Sequence, residues 1–557
     1  MKSRFFSGLA AMVIYLLASM ALLLPPLHGD FTHTLIACRS TDPATSLWEL
    51  AWWPWAMFHH INPILCKVVW HPTGQNMLWS LFIPTLSLLF WPVTAVGGPF
   101  VCYNLIAVLS PALAGWATFL LCRELTGKFW PAFFGGAVFG FSSFEFTQLL
   151  AHINLFVTCI LPLCAWLYLL RYRGKITCRR YVIFLAGLLF LQFGIFNEVF
   201  ATSVTFGLIA LLIALAMEKN AALRAIHRRL LLETIGSLAI VVLLLTPCLY
   251  YIFFHGYVHG WVYTKDFFSG DPLNFIVPTK NTLLSGSVFN SFSRTFNGNR
   301  YELGSYMGLP LIVMVVWFAS EFADRSAARS LLLILALVAV ASLGGYLQTR
   351  KHVLPVPLPW VVGLHLPLLA KALPQRFSEF VFLALAAMGA WWLADSRKSK
   401  AVKIGIAVLA ILFMLPNTFY GRWAFRPENP PFFTHDLAKR WLPPGANVLI
   451  LPYGFKGESM LWQEESHFYF SMAGGYLDLL RPKSFTRYPA IYAFYDGHSI
   501  GANYREELVR FIRDKHVAAI MIADCDMPIY AALAAPLHIK PIHTGGIELY
   551  LIPAKCR

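Results

Sequence analysis

Residues 181–217 read YVIFLAGLLFLQFGIFNEVFATSVTFGLIALLIALAM, two apolar runs parted by the polar pair Asn197 and Glu198. Each run is close to the roughly 20 apolar residues that a helix needs to cross a bilayer. An ionisable residue at such a break is a candidate for function, set against the plain reading of a water-exposed interfacial turn where Glu costs little. Similar apolar segments lie near 5–25, 78–96, 101–122, 130–150, 153–170, 232–254, 305–320, 330–347, 376–394 and 401–420. With 58% hydrophobic and 13% charged residues, the chain carries more apolar surface than one soluble core can absorb. The sequence predicts an α-helical polytopic membrane protein.

The charge pattern predicts its topology. MKSRFF and the apolar residues to Leu24 resemble a signal sequence, but Pro25, Pro26, Leu27 and His28 offer no small-residue cleavage site, so a retained first span is expected. Basic clusters follow at Arg123 and Lys128, RYRGKITCRR (171–180), EKNAALRAIHRR (218–229), Arg325 and Arg329, and SRKSKAVK (396–403). Each is expected in the cytoplasm. With the N-terminus inside, this holds only if one segment before Arg123 fails to cross. The segment 78–96, with Pro84 and Pro92 and ended by Gly97 and Gly98, is the choice for a re-entrant or interfacial helix, which leaves about 11 spans.

This topology makes 1–420 the transmembrane domain and turns the first loop, the 151–154 turn, the Asn197–Glu198 turn and the loops 255–304 and 348–375 outward. From Arg422 the pattern changes to runs such as NVLILPY, EELVRFIRDK, AAIMIA and IELYLIP. Strands alternating with helices predict a C-terminal soluble α/β domain, 421–557, on the outer side. The formal charge of +16 is spent in loop clusters, which argues against a nucleic-acid partner. The 10 cysteines hold no CxxC pair; Cys38 with Cys66, and Cys525 with Cys556, are the disulfide candidates. No Walker A loop, GxGxxG after a strand, HExxH, GxSxG or CxxCH is present, which excludes the corresponding pumps and enzymes.

The first outer loop reads TDPATSLWELAWWPWAMFHHINP (41–63) and then WHPTG (70–74). An acidic residue before Pro, an aromatic amphipathic stretch ending in Asn-Pro and a short HPxG turn resemble bacterial membrane glycosyltransferases of the GT-C superfamily. FSSFEFTQLLAHINL (141–155) is similar to the second outer turn of that family, Asn197–Glu198 to the third, YELGSYMGLPLI (301–312) to the span after the large loop, and LPLLAKALPQRFSEF (366–380) to the start of a late span. The resemblance implies a helical bundle in the bacterial inner membrane that moves a sugar from a polyprenyl-phosphate carrier to a glycan, lipid or protein acceptor of the cell envelope on the outer face. Membrane lipids would surround it. The resemblance leaves room for a divalent metal, but His152 and Asn154 stand where many relatives carry an acidic residue, which weakens a site built on two loop carboxylates.

Asp42 is the strongest catalytic candidate, a general base for an inverting transfer. It also stands where Asp caps a helix, before ATSLWELAWW. Glu198 and His152 are the other catalytic candidates. Glu49, seven residues from Asp42, could share its helix face, though a solvated carboxylate is the bland reading. Asn154 and Asn197 are expected to contact substrate, or else to cap a helix end. Arg376, after Pro374, could grip a phosphate bidentately or anchor to lipid headgroups, and Lys371 and His71 are weaker versions of the same argument. Glu302 and Tyr306, with Tyr301, are candidate acceptor contacts. Trp48, Trp52, Trp53 and Trp55 read as interfacial anchors before sugar platforms. The rival functions are a flippase or transporter of a lipid-linked sugar, which would place ionisable groups at the bilayer midplane, and an oligosaccharide transferase or ligase with a pyrophosphate-linked donor.

Overall fold

Inside a bilayer each backbone N–H and C=O must be satisfied within the protein, so the apolar runs become helices. A computed structural model, which describes residues 2–255, 267–366, 369–418, 423–477, 481–523 and 527–554, has six helices long and apolar enough to cross: Phe6–Leu27, Trp91–Thr126, Ile153–Tyr172, Cys178–Ile195, Asn197–Met217 and Pro374–Asp395. Ala221–Leu244 and Thr246–Phe254, bent by 64°, make a seventh if taken together. The boundary near 421 and the cysteines Cys525 and Cys556 lie outside the described residues. The chain is a multi-pass membrane protein.

Several expected segments form shorter helices: Phe129–Gly140, Gly308–Phe322, Ser326–Ala341 and Lys400–Met414. At 1.5 Å per residue these reach about 18–24 Å, below the ~30 Å hydrocarbon core. The 130–150 run is not one helix. Ser142 takes extended backbone and caps a new helix, Ser143–Leu149, by accepting a hydrogen bond from the Glu145 N–H. The 78–96 stretch is also broken, into a 3-10 turn Met77–Trp79, a helix Pro84–Leu89 and a helical turn from Trp91 that kinks at Gly98 (φ 80°), where only glycine is unstrained.

Two glycines let the bundle close. A Cβ on Gly140 would collide with the Gly115 backbone and the Pro111 carbonyl, and one on Gly136 would strike the Tyr15 hydroxyl. Small residues at such crossings replace the hydrophobic drive that lipid removes.

The C-terminal part forms a five-stranded sheet, ordered Ser471–Met472, Asn447–Leu451, Val517–Ala523, Ile547–Leu551, Ile542–Thr544. The first three strands are parallel and the last two antiparallel. This sheet packs on the first loop. Trp48 and Trp52, stacked at 5.0 Å, meet Phe468, and the Trp48 indole donates to Gln463 Oε1 at 2.8 Å. Trp48, Trp52 and Trp53 are thus buried packing residues, not the interfacial anchors expected, because the helix Ser459–Glu465 and Phe468 cover Trp48 and Trp52 while Trp53 packs edge-on to Phe82. Cys38 and Cys66 are both free and buried, so the expected bridge is absent; the Cys38 sulfur instead meets the Arg300 guanidinium at 2.6 Å.

Gly140→Ala is expected to force the two helices apart and cost about 1–3 kcal/mol, while Gly187→Ala, with open space around its Cβ position, changes nothing. Thermal denaturation of the detergent-solubilised protein separates the two.

Candidate functional site

Five segments distant in sequence meet at the ends of the membrane helices. Asp42 lies in the first turn of the helix Thr41–Phe58. His152 follows the helix Ser143–Leu149, Glu198 opens the helix Asn197–Met217, Glu302 lies in the 299–305 turn, and Arg376 lies in the 3-10 turn Pro374–Phe377 that leads into Ser378–Asp395. The 299–305 turn fits because of Gly304, where a Cβ would lie 2.9 Å from Phe144 Cα.

The interior of the site is an ion triad. Arg376 Nε and Nη2 donate to Glu302 at 3.1 and 2.6 Å, and Nη1 donates to Glu198 Oε2 at 2.5 Å. The Leu373 N–H donates to Glu198 Oε1 at 2.9 Å. On the other side Gln148 Nε2 donates to Glu302 Oε2 at 3.3 Å while Gln148 Oε1 accepts from His152 Nδ1 at 2.7 Å. His152 Nε2 then faces Asp42 Oδ2 at 3.5 Å and Glu302 Oε1 at 3.9 Å. Tyr476, from the C-terminal part, donates its hydroxyl to Asp42 Oδ1 at 3.1 Å.

Exposure is graded along this chain: Glu302 is 2% exposed, His152 11% and Asp42 32%. Burial raises the Glu302 pKa, but the Arg376 and His152 charges outweigh it and hold the carboxyl below its ordinary value. Asp42 is the most exposed of the three carboxylates in this network.

Of the sequence candidates, Asp42, His152, Glu198, Glu302 and Arg376 converge. Asn154, two residues from His152, is buried in the helix Ile153–Phe156. Asn197 donates to the Leu78 carbonyl at 3.0 Å. Glu49 is fully buried and not solvated; burial lifts its carboxyl well above the ordinary range, against one hydrogen bond from the Trp53 indole. His71 lies at the junction with the sheet, its N–H donating to the Met472 carbonyl. Tyr306 is buried. Lys371 lies over the Trp79 ring at 4.8 Å.

Gln148 and Tyr476 were missed. Gln148 had a signal, one helical turn before His152; Tyr476 had none. Arg300 was missed too. It is half-buried, donates to the Tyr301 hydroxyl at 2.9 Å, and has no carboxylate within ion-pair distance among the described residues. The Tyr301 hydroxyl donates to the Arg39 carbonyl at 3.0 Å and its ring stands edge-on to His152 at 6.2 Å.

A resident divalent metal does not fit these residues. Glu302 is occupied by Arg376 and Gln148, and Asp42 and His152 face each other instead of a common centre. Among the described residues no group of three or more His, Cys, Asp or Glu is arranged to hold one.

Residues 9–416 match the family described as a domain of unknown function, DUF6311. The chain belongs to that family. No curated protein matches this DUF6311 chain. Among solved structures it is similar to the arabinofuranosyltransferase AftD from Mycobacteria, with TM-score 0.60 and 13% identity over 99% of this chain and 40% of AftD. It is also similar to the Archaeoglobus fulgidus oligosaccharyltransferase in complex with Zn and sulfate, with TM-score 0.56 and 14% identity over 94% of this chain and 69% of that one. The DUF6311 chain thus spans well under half the length of AftD and has the fold of the GT-C membrane glycosyltransferases.

Arg376→Gln is expected to leave two buried carboxylates without their counter-charge, at a cost of about 3–5 kcal/mol, read as a fall in melting temperature. Because the Glu302 pKa is lower folded than unfolded, its contribution is complete above the unfolded value and vanishes as pH falls through the folded value. Melting temperatures taken from about pH 6 to about pH 3 should therefore fall less steeply in Glu302→Gln than in wild type.

Proposed function

We propose that the chain is a polyprenyl-phosphate-dependent glycosyltransferase acting on a cell-envelope acceptor at the outer face of the bacterial inner membrane. The observation that carries this reading is the accessible Asp42 carboxylate, held between Tyr476 and His152 at the end of a buried charge network. In the inverting reaction Asp42 takes the proton of the acceptor hydroxyl as that oxygen attacks the anomeric carbon. The bond from that carbon to the phosphate oxygen breaks, and its electron pair leaves with the prenyl phosphate. His152, steered by Gln148, holds Asp42 in place.

Arg376, first expected to bind the donor phosphate, already has its guanidinium between two carboxylates, a group with net negative charge that repels a phosphate. Arg300 suits the phosphate better, because no carboxylate among the described residues competes for it. The prenyl chain has room in a cavity of about 660 Å³ beside the helix Ser378–Asp395, whose lining runs from Phe380, one turn beyond Arg376, to Asp395. The shorter helices complete a bundle of about 11 spans, with the N-terminus cytoplasmic and 421–557 outside as an α/β domain that takes part in acceptor binding. A transporter fits less well, since the charged groups gather at helix ends on one side and not at the midplane.

Transfer from radiolabelled polyprenyl-phosphate sugars to envelope extract should vanish in Asp42→Asn with no loss of melting temperature; retained transfer would remove Asp42 as base. Arg300→Gln should raise KM for the donor about 10- to 100-fold, the equivalent of one charged hydrogen bond.

A further inference from the structure

A row of aromatic side chains begins at Asp42 and leads away from it across the C-terminal part. Tyr476, whose hydroxyl reaches Asp42, stands 6.3 Å from Phe455, ring centre to ring centre. Phe455 stacks on Tyr495 at 5.5 Å with their planes 28° apart, and the Arg481 guanidinium lies over Tyr495 at 4.7 Å. Tyr453 backs Tyr495 from the interior at 5.0 Å. The row is fastened to the helix that carries the base. Thr41 donates its hydroxyl to the Phe455 carbonyl at 2.7 Å, and Thr45 donates to the Tyr476 carbonyl at 3.1 Å.

The exposure of this row is unusual for its chemistry. Phe455 is 43% exposed although the sheet beside it has a well-filled core. Its surroundings are not those of a lipid contact: Lys456 reaches over the Phe455 ring at 5.6 Å, and Arg481, the Tyr476 hydroxyl and Asp42 lie along the row. A flat ring edged with donors and acceptors matches a sugar residue, which presents a C–H face to the ring and hydroxyls to the edge. An acyl chain would leave these polar groups without partners.

Building on the transferase reading above, we propose that the acceptor is a saccharide, and that Tyr476, Phe455 and Tyr495, with Arg481, form the subsite that seats it and delivers its hydroxyl to Asp42. The subsite binds and orients only. Proton removal stays with Asp42.

The test is saturation-transfer NMR on the full-length protein in detergent, with defined oligosaccharides of glucose, mannose, galactose, rhamnose and arabinose as probes. At least one of them should bind wild type and Asp42→Asn alike, and bind at least tenfold more weakly to Phe455→Ala and Tyr495→Leu at unchanged melting temperature. Should Tyr495→Leu unfold, Phe455→Ala and Arg481→Gln, both surface changes, carry the comparison. Absence of binding by every oligosaccharide, or binding that survives Phe455→Ala and Arg481→Gln, overturns the subsite. The two readings fail separately. Saccharide binding that depends on Phe455 in a protein whose transfer ignores Asp42 keeps the subsite and removes the base, whereas transfer to a lipid or peptide acceptor that ignores Phe455→Ala keeps the transferase and removes the saccharide.

Discussion

A guanidinium buried between two carboxylates, Arg376 with Glu198 and Glu302, holds one end of the bundle together. Taking three ionised groups out of water is costly, and only tight mutual geometry offsets it. Here that geometry requires the start of the helix 197–217, the turn 299–305 and the turn 374–377 to meet at one point. In a membrane, where helices gain little by hiding apolar surface from lipid, such a polar joint specifies which helix ends are neighbours. Three segments separated by about 180 residues of chain are thereby set relative to each other.

From that joint the charge network passes outward with rising exposure. Glu302 is locked by Arg376 and Gln148, Gln148 fixes the His152 ring, and His152 faces Asp42. Each buried group spends its hydrogen bonds on its neighbour, and the last member, Asp42, is the most exposed. The division of labour follows from burial: the triad positions, and the exposed carboxylate has capacity for chemistry.

The other wall of the site comes from the C-terminal sheet. Trp48 and Trp52 of the first loop bury against Phe468 and Gln463, so the helix that carries Asp42 is packed between the membrane bundle and the C-terminal part. Tyr476 can reach Asp42 only because that packing brings the loop after the strand Ser471–Met472 beside the helix Thr41–Phe58. Membrane and sheet parts therefore build one site between them.

By itself the sequence determined the solvent of the protein, the helical character of its apolar runs, the alternation of strands and helices in the C-terminal part, and Asp42, His152, Glu198, Glu302 and Arg376 as polar groups at segment ends. These are readable because hydrophobic period and charge placement are local properties of the chain. The tertiary structure alone decided which of the polar groups meet. It withdrew Glu49 into the core, paired Arg376 with two carboxylates where a phosphate was expected, kept Cys38 apart from Cys66, and brought in Gln148, Arg300 and Tyr476. It also split the 130–150 run at Ser142 and turned interfacial-looking tryptophans into packing. The reason is the same in each case: burial and pairing energies depend on contacts between residues far apart in the chain, and no local pattern encodes a partner that only folding supplies.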